Sequence, residues 1–205
     1  MIGYTSHAVN SRPYVQRARA RSVARTTTAI ENAALREVAR NGYAELRIAA
    51  VARRARVAPR TVYLHAPTKE RLVQLALRRR ADALASRVER WHPRAEAPDT
   101  VLNEIVAFHE RNYRQESALL ETLVAGGVPP ACLAILRDLD RIRLQVISRT
   151  LGDLARRGVL RMRLADAVAL AHALLAYPTW RTALTGPARR RAPRLVASAL
   201  RSALL

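Results

Sequence analysis

Two prolines set close together constrain the fold more than any other feature of this sequence. They lie in the stretch RRARVAPRTVYLHAPTKERL, residues 53–72. Pro59 suits the first position of a helix, where its missing N–H costs nothing. Pro67 ends that helix, because proline cannot continue a backbone hydrogen-bond ladder. The spacing therefore predicts a helix of about two turns, Pro59–His65.

A second short helix is predicted immediately before the first. Ile48, Val51, Ala52 and Ala55 recur at helical spacing and indicate a helix over Ile48–Ala55. Two helices this short bury little apolar surface, so they need a third helix to pack against. Three short helices that leave one of them free to project its outer face form a helix-turn-helix, whose second helix fits the DNA major groove.

The third helix of this unit is predicted from about Thr26. Thr28 and Glu31 have the spacing of a capping box, in which the hydroxyl and the carboxylate each satisfy an N–H at the helix start. Asn41-Gly42 ends the helix, with Gly42 free to adopt a left-handed C-terminal conformation.

The rest of the chain also shows helical periodicity, and no segment shows the alternation of a strand. We therefore predict an all-α fold with about nine helices. Beyond the first three, they are Thr68–Arg90, Asp99–Gln115, Ser117–Ala125, Pro130–Arg157, Leu164–Leu184 with a kink at Pro178, and Pro193–Leu204.

Three regions follow from this pattern. Residues 1–25 have weak periodicity and five arginines, and are expected to form a basic, flexible arm, or a solvated tail with no role. Residues 26–71 form the predicted helix-turn-helix domain. Residues 72–205 form a larger helical domain.

The charge favours a polyanionic partner. The chain carries 36 basic and 16 acidic residues, a formal net charge of +20. This balance indicates nucleic acid or an anionic membrane surface. Residues 1–71 hold 14 basic and 4 acidic residues, so their net charge of +10 lies on about a third of the chain.

Several classes of protein are disfavoured. Cys132 is the only cysteine, which rules out an intrachain disulfide. No apolar run reaches the ~18 residues of a membrane span, and the N-terminus lacks the apolar middle of a secretory signal. We expect a cytoplasmic protein that does not interact with membranes. Glycine-rich phosphate loops, metal-ligand spacings and nucleophile elbows are absent, so we expect neither an enzyme, a cofactor nor a bound metal.

The N-terminal motifs, taken together, resemble the TetR family of bacterial transcriptional regulators. The resemblance covers about Thr26–Ala76 and has four parts: an alanine-rich helix ending in Gly42-Tyr43, then Ala52, Ala55 and Val57, then Thr61-Val62-Tyr63, then Pro67-Thr68-Lys69-Glu70. This sequence departs from the family pattern at Arg47, at Arg56 in the turn, at Ala58-Pro59 and at His65-Ala66. If Arg56 has a positive φ, its side chain is strained there.

The resemblance implies a homodimer that binds a roughly palindromic double-stranded DNA operator, represses transcription in a bacterial cytoplasm and nucleoid, and responds to a small-molecule effector. It places DNA contacts on the second and third helices. Arg60 is the candidate base reader, because a guanidinium can bond both guanine acceptors. His65 either reaches DNA or packs inside, and Arg53, Arg54 and Arg56 are either contacts or solvated charge. The implied DNA-binding residues are Arg47, Pro59, Arg60, Thr61, Tyr63, His65 and Lys69.

The larger domain supplies two further sets of candidates. The first could line an effector pocket between helices: Phe108, His109, Tyr113, Cys132, His172 and Tyr177. The second set lies on the last two helices and could form a four-helix dimer interface, with ordinary core as its alternative. Its members are Val168, Ala171, Leu175, Leu195, Val196, Ala199 and Leu200.

A rival hypothesis is a basic helical protein that coats nucleic acid or an anionic surface without sequence preference. The ordered motif set argues against it, since non-specific binding needs no recognition helix.

Overall fold

The computed structural model describes residues 11–124, 127–185 and 190–205, and all regular structure in these ranges is helical. The predicted all-α class is confirmed, with nine helices in the described ranges. They are α1 Ser11–Asn41, α2 Ile48–Ala55, α3 Pro59–His65, α4 Lys69–Arg90, α5 Pro98–Val124, α6 Pro130–Arg156, α7 Leu164–Leu174, α8 Tyr177–Thr185 and α9 Ala192–Leu204.

The chain divides into two compact units between Ala76 and Leu77. We call residues up to Ala76 the head unit and residues from Leu77 onward the body unit. In the head unit α1 packs on α2, and α2 packs on α3. Their shared core includes Ile30 and Val38 of α1, Val51 of α2 and Val62 of α3, each at most 1% exposed. Burial of these side chains holds the short α2 and α3 in place, as neither would be stable alone.

The start of α1 differs from the prediction. The helix is continuous from Ser11, so residues 11–25 are not a flexible arm, while residues 1–10 lie outside the described residues. Arginine and alanine, which dominate this stretch, are among the best helix formers, and they extend the helix without any apolar stripe. Thr28 consequently lies inside the helix and donates its hydroxyl to the Ala24 carbonyl at 2.9 Å instead of capping.

The turn between α2 and α3 adopts a left-handed conformation at Arg56, with φ 58° and ψ 45°. The Arg56 N–H donates to the Arg53 carbonyl, and the Val57 N–H donates to the Ala52 carbonyl at 3.0 Å. This pair of bonds is a Schellman motif, in which glycine is the usual left-handed residue. The conditional prediction of strain at Arg56 is therefore met.

The core of the body unit is one apolar cluster built mainly from α5, α6, α7 and α9. Two helix boundaries there were wrongly predicted. Helix α5 continues through Glu116 to Val124, because no glycine or proline interrupts it there. The single helix expected over Leu164–Leu184 is two, α7 and α8. Pro178 has no N–H to donate to the Leu174 carbonyl, so α7 ends at Leu174 and Pro178 lies in the first turn of α8.

No helix within the described ranges is both long and apolar enough to cross a membrane.

Candidate functional sites

The outward face of α3 is a continuous strip of four side chains. Pro59, Arg60, Tyr63 and Leu64 are all exposed, with Tyr63 at 54% and Leu64 at 77%, while Val62 on the opposite side is fully buried. Thr61 is partly buried at the edge of the strip. A convex strip on a short helix, held from behind by one buried valine, suits insertion into a groove.

Leu64 was missed by the sequence reasoning. Its position could have indicated this exposure: Leu64 comes four residues after Arg60, and residues four apart lie on one helical face. A leucine this exposed beside an exposed tyrosine is an apolar contact surface in the middle of a basic region.

His65 lies on the inner side of α3 and contacts α1. Its Nε2 is 3.1 Å from Oε1 of Glu31, and the two side chains are 17% and 5% exposed. The structure thus places His65 in the packing between α3 and α1, which is the alternative to the predicted DNA contact. The Glu31 carboxylate that was assigned to a capping box instead ties α1 to α3.

Arg54 has a comparable structural role between α1 and α2. Its Nε donates to Oε1 of Glu37 at 2.6 Å, and Asn41 donates to the other carboxylate oxygen. Arg53, Arg56 and Arg60 are exposed, and no carboxylate in the described part of the chain pairs with them. These three charges remain available to an external anion.

Two further predicted contacts flank the short helices. Arg47 precedes α2, its side chain is 81% exposed, and it lies 3.8 Å from the Glu45 carboxylate. Lys69 opens α4, donates to the Ala44 carbonyl at 3.0 Å and lies over the Tyr43 ring at 4.8 Å. Lys69 therefore braces the loop after α1, and an ammonium has two further N–H donors for a phosphate.

The body unit contains a cavity of about 370 Å³ bounded by α4, α5, α6 and the connection from α7 to α8. Most of its lining is apolar, and its volume lies in the range of small-molecule sites. Four of the six predicted pocket residues line it: Phe108, His109, Tyr113 and Tyr177. Cys132 is fully buried and does not line the cavity, and His172 is outside the lining but lies 2.8 Å from Arg143, which is part of it.

Arg143 is a charged residue in the lining of this cavity, and it was not predicted from the sequence. It lies on α6 four residues after Leu139 and four before the buried Ile147, so its position on the apolar face was the available signal. Its side chain is 13% exposed. The two Nη atoms donate to four acceptors, and the Nε–H has no acceptor among the described residues. The four acceptors are the Tyr113 hydroxyl, the Leu175 carbonyl, the Asp140 carboxylate and Nε2 of His172.

Two histidine rings, His172 and His109, lie close to this part of the cavity. Because Arg143 can only donate, the His172 Nε2 that lies 2.8 Å from it is the acceptor, and Asp140 Oδ2 lies 3.4 Å from the same nitrogen. His109 Nδ1 lies 2.8 Å from the Ile105 carbonyl and must carry the proton, which leaves its Nε2 as an acceptor. Burial lowers the pKa of His109 to about 4, and the Arg143 charge acts in the same direction, so the ring is neutral at pH 7.

The two cavity tyrosines are neutral hydrogen-bond donors. Burial raises the pKa of Tyr113, whose hydroxyl donates to the Leu175 carbonyl at 2.8 Å. Burial and a hydrogen bond to the Glu121 carboxylate raise the pKa of Tyr177 to about 12. No group of histidine, cysteine and acidic side chains in the described ranges has the arrangement of a metal site.

Comparison with known families identifies the head unit. Residues 30–76 match the model of the bacterial regulatory proteins of the tetR family. This match assigns residues 30–76 to the TetR family of DNA-binding domains. The predicted resemblance is confirmed for the head unit, and the matched family is one of DNA-binding transcriptional regulators.

Solved structures of TetR-like regulators match the fold of most of the chain. A transcriptional regulator from Saccharomonospora viridis, in complex with choline, is 24% identical, with 88% of this chain and 95% of that chain covered and a TM-score of 0.69. A TetR-family regulator from Rhodococcus sp. is 19% identical, with 89% and 100% covered and a TM-score of 0.66. The regulator FadR from Bacillus subtilis, in complex with stearoyl-CoA, is 16% identical, with 84% and 96% covered and a TM-score of 0.65. No curated protein matches the chain.

The residues predicted to form the dimer interface separate into two groups. Ala171, Leu175, Val196 and Leu200 are 8% exposed or less and belong to the chain's own core, which is the alternative that the prediction kept open. Side chains on the inner face of an amphipathic helix pack in the chain's own core, so they are not available to a second copy. Val168 packs partly against the same core, whereas Leu195 and Ala199 are exposed.

The outward faces of α7 and α9 are lined by small and apolar side chains. Leu195 on α9 is 54% exposed, and Leu164 at the start of α7 is 40% exposed. Helices α7 and α9 contact each other, so these exposed side chains belong to a neighbouring pair of helices. The other exposed apolar members are Ala165, Ala169, Ala173 and Ala199.

Proposed function

We propose that this regulator is a homodimeric repressor, which binds a roughly palindromic operator and leaves it when a small molecule occupies the body-unit cavity. The observation that carries the DNA-binding part is the exposed strip of α3. It combines one unpaired guanidinium, one phenol and one leucine on a single face.

The chemistry of this strip suits base recognition. Arg60 can donate two hydrogen bonds to the major-groove edge of guanine. Leu64 can contact the methyl group of thymine, an apolar feature in the same groove. Tyr63 and Thr61 offer hydroxyls to phosphates or bases. His65 is left out of this contact set because it is paired with Glu31.

Sequence-independent contacts come from the surrounding charge. Arg47, Arg53 and Arg56 are exposed around α2. The first part of α1 adds Arg17, Arg19, Arg21 and Arg25, all exposed and with no acidic residue before Glu31. Phosphate contacts of this kind supply affinity and register but carry no base information.

The dimer and the effector rest on separate observations. The outward face of α7 and α9 offers small and apolar residues to a second copy in a four-helix arrangement. Two heads then bind two half-sites about one duplex turn apart. The cavity has the size and lining of a small-molecule site, and similar solved regulators are described in complex with choline and with stearoyl-CoA. A coupling free energy of only ~1–3 kcal/mol is enough for release.

The test is DNA binding by the purified protein. Duplexes selected from a random library, and the DNA upstream of its own gene, are compared with scrambled duplexes at two salt concentrations. We expect a preference that survives the higher salt and is lost in Arg60→Ala and Tyr63→Ala. Arg111→Ala, an exposed arginine of the body unit, is the control for charge. Equal binding to all duplexes that disappears with salt would contradict the proposal and favour non-specific binding.

A further inference from the structure

We propose that the body-unit cavity binds a small carboxylate with an apolar body, and that Arg143 is the residue that holds the carboxylate. The inference rests on the proposed effector role of the cavity and adds the chemical class of the ligand.

One edge of the Arg143 guanidinium is only partly used by the protein's own groups. The Nε–H and one Nη2–H of an arginine lie side by side and match the two oxygens of a carboxylate. In Arg143 the Nη2 donates to Asp140 Oδ1, while the Nε–H has no acceptor among the described residues. The edge is therefore only half occupied.

Asp140 is a weak competitor for this edge. Its side chain is 52% exposed, against 13% for Arg143, so its carboxylate retains much of its hydration when it leaves. An incoming carboxylate takes over as the partner of the nearly buried guanidinium, so the exchange leaves no buried charge unpaired. The Nε atom is buried, so a carboxylate reaches its N–H only by taking the place of Asp140 on Nη2; it then gains a bond that Asp140 does not make.

The remaining polar groups favour an anion over a cation. The lining contains three arginines and two carboxylates, so its formal net charge is +1: Arg80, Arg87 and Arg143 against Glu116 and Asp140. Glu116 is already paired with Arg80. The neutral state of His109 adds no charge of its own. A quaternary ammonium ligand would therefore meet Arg87, which pairs with no carboxylate among the described residues, and two carboxylates that are both already paired.

The other lining residues indicate that the rest of the ligand is apolar. Leu84, Phe108, Leu120, Leu123 and Ile142 are among the side chains that face the cavity. Their surface excludes water only when an apolar group covers it, and such burial supplies most of the affinity of a small ligand.

The experiment compares three probes that share one ten-carbon chain: decanoate, 1-decanol and decyltrimethylammonium. Each is titrated below its micellar concentration into the full-length protein without DNA. Calorimetry gives the dissociation constant, and tryptophan fluorescence gives a second reading. Trp91 lies 4.7 Å from the Phe108 ring, and Trp180 lies 6.2 Å from the Tyr113 ring.

We expect decanoate to bind at least about tenfold more tightly than either other probe, since a charge-assisted pair of hydrogen bonds is worth that factor or more. Arg143→Gln should remove the preference while 1-decanol still binds, which shows that the cavity remains folded. Asp140→Asn should tighten decanoate binding several-fold, because the competing carboxylate is gone. Arg111→Gln, an exposed arginine outside the cavity, should change nothing.

Three results would overturn the inference. One is equal or tighter binding of 1-decanol or decyltrimethylammonium. Another is a preference for decanoate that survives in Arg143→Gln or fails to increase in Asp140→Asn. The third is no saturable binding of decanoate. These titrations involve no DNA, so they test the carboxylate site independently of the effector role. If decanoate binds as expected but does not release the protein from its operator, the effector role is refuted and the carboxylate site stands.

Discussion

At the scale of single residues, Arg56 shows how the head unit tolerates an unfavourable backbone. A left-handed conformation costs an L-residue ~1–2 kcal/mol, part of which glycine avoids despite its larger loss of chain entropy. We expect Arg56→Gly to stabilise the head unit by about 0.5–1 kcal/mol. Native-state hydrogen exchange of the α2 amides measures this directly, as a two- to fivefold slower exchange. Arg56→Ala keeps the Cβ and should give no gain; an equal gain would mean that relief of charge, not of strain, is responsible.

Leu64 gives a prediction about DNA sequence. A thymine methyl group buried against it is worth roughly 0.8 kcal/mol, or about a fourfold change in affinity per half-site. Replacing the contacted thymine by deoxyuridine in a selected operator should therefore weaken binding by that factor in wild type and leave Leu64→Gln unaffected. Band-shift titrations measure the effect, with deoxyuridine placed outside the half-sites as the control. Wild-type binding that is indifferent to every single thymine-to-uracil replacement would show that Leu64 reads no methyl group.

His109 links the stability of the body unit to pH. Its pKa is about 4 in the folded state and 6.5 in the unfolded state, so the unfolded chain takes up a proton first as the pH falls. The stabilisation is complete above pH 6.5 and is lost towards pH 4, by up to about 3 kcal/mol. Urea unfolding followed by tryptophan fluorescence should show that His109→Gln loses this component. His92→Gln, at an exposed histidine, should retain it. Identical pH profiles for wild type and His109→Gln would show that another group is responsible.

At the scale of the helices, the basic start of α1 makes a measurable contribution to salt dependence. Arg17, Arg21 and Arg25 recur every four residues, so they form one positively charged stripe. The slope of log affinity against log salt falls by about 0.9 for every phosphate that the protein no longer neutralises. Changing Arg17, Arg19, Arg21 and Arg25 together to glutamine should reduce the slope on specific and random DNA alike. Glutamine favours the helix almost as well as arginine, so the fold is retained.

The control for α1 is a variant with the same loss of charge in the body unit. Arg111, Arg157, Arg161 and Arg194 are exposed and suit this purpose when changed to glutamine. An unchanged slope in the α1 variant, or an equal reduction in the control, would assign the α1 arginines to solvated charge without a role in binding.

The helices also show what the sequence could predict. The bounds of α2 and α3 follow from Pro59, Pro67 and a short apolar stripe, and those local signals determine the structure. The start of α1 was missed because a solvated Arg/Ala helix and a solvated Arg/Ala coil have the same lack of apolar periodicity. Arg143 was missed for a different reason: whether a charged residue on an apolar face points into a cavity depends on tertiary packing.

At the scale of the whole molecule, the inner and outer faces of α9 predict two different failures. Leu200 is fully buried, so Leu200→Ala should destabilise the body unit by about 2–5 kcal/mol without abolishing self-association. Leu195 and Ala199 are exposed, and charge on an apolar interface prevents association at little cost to a folded monomer. The same helix should thus give an unstable dimer or a stable monomer, depending on the face that is altered.

The decisive variant is Leu195→Glu combined with Ala199→Glu, studied by analytical ultracentrifugation and by operator binding. We expect a folded monomer that binds a full operator no better than a half-site, because the second head is no longer held beside the first. Leu133→Glu, at an exposed leucine on α6, introduces a charge elsewhere and should remain dimeric. If the double variant stays dimeric, the interface does not involve the outward face of α9. If it is monomeric yet binds the operator as tightly as wild type, two linked heads are not required for recognition.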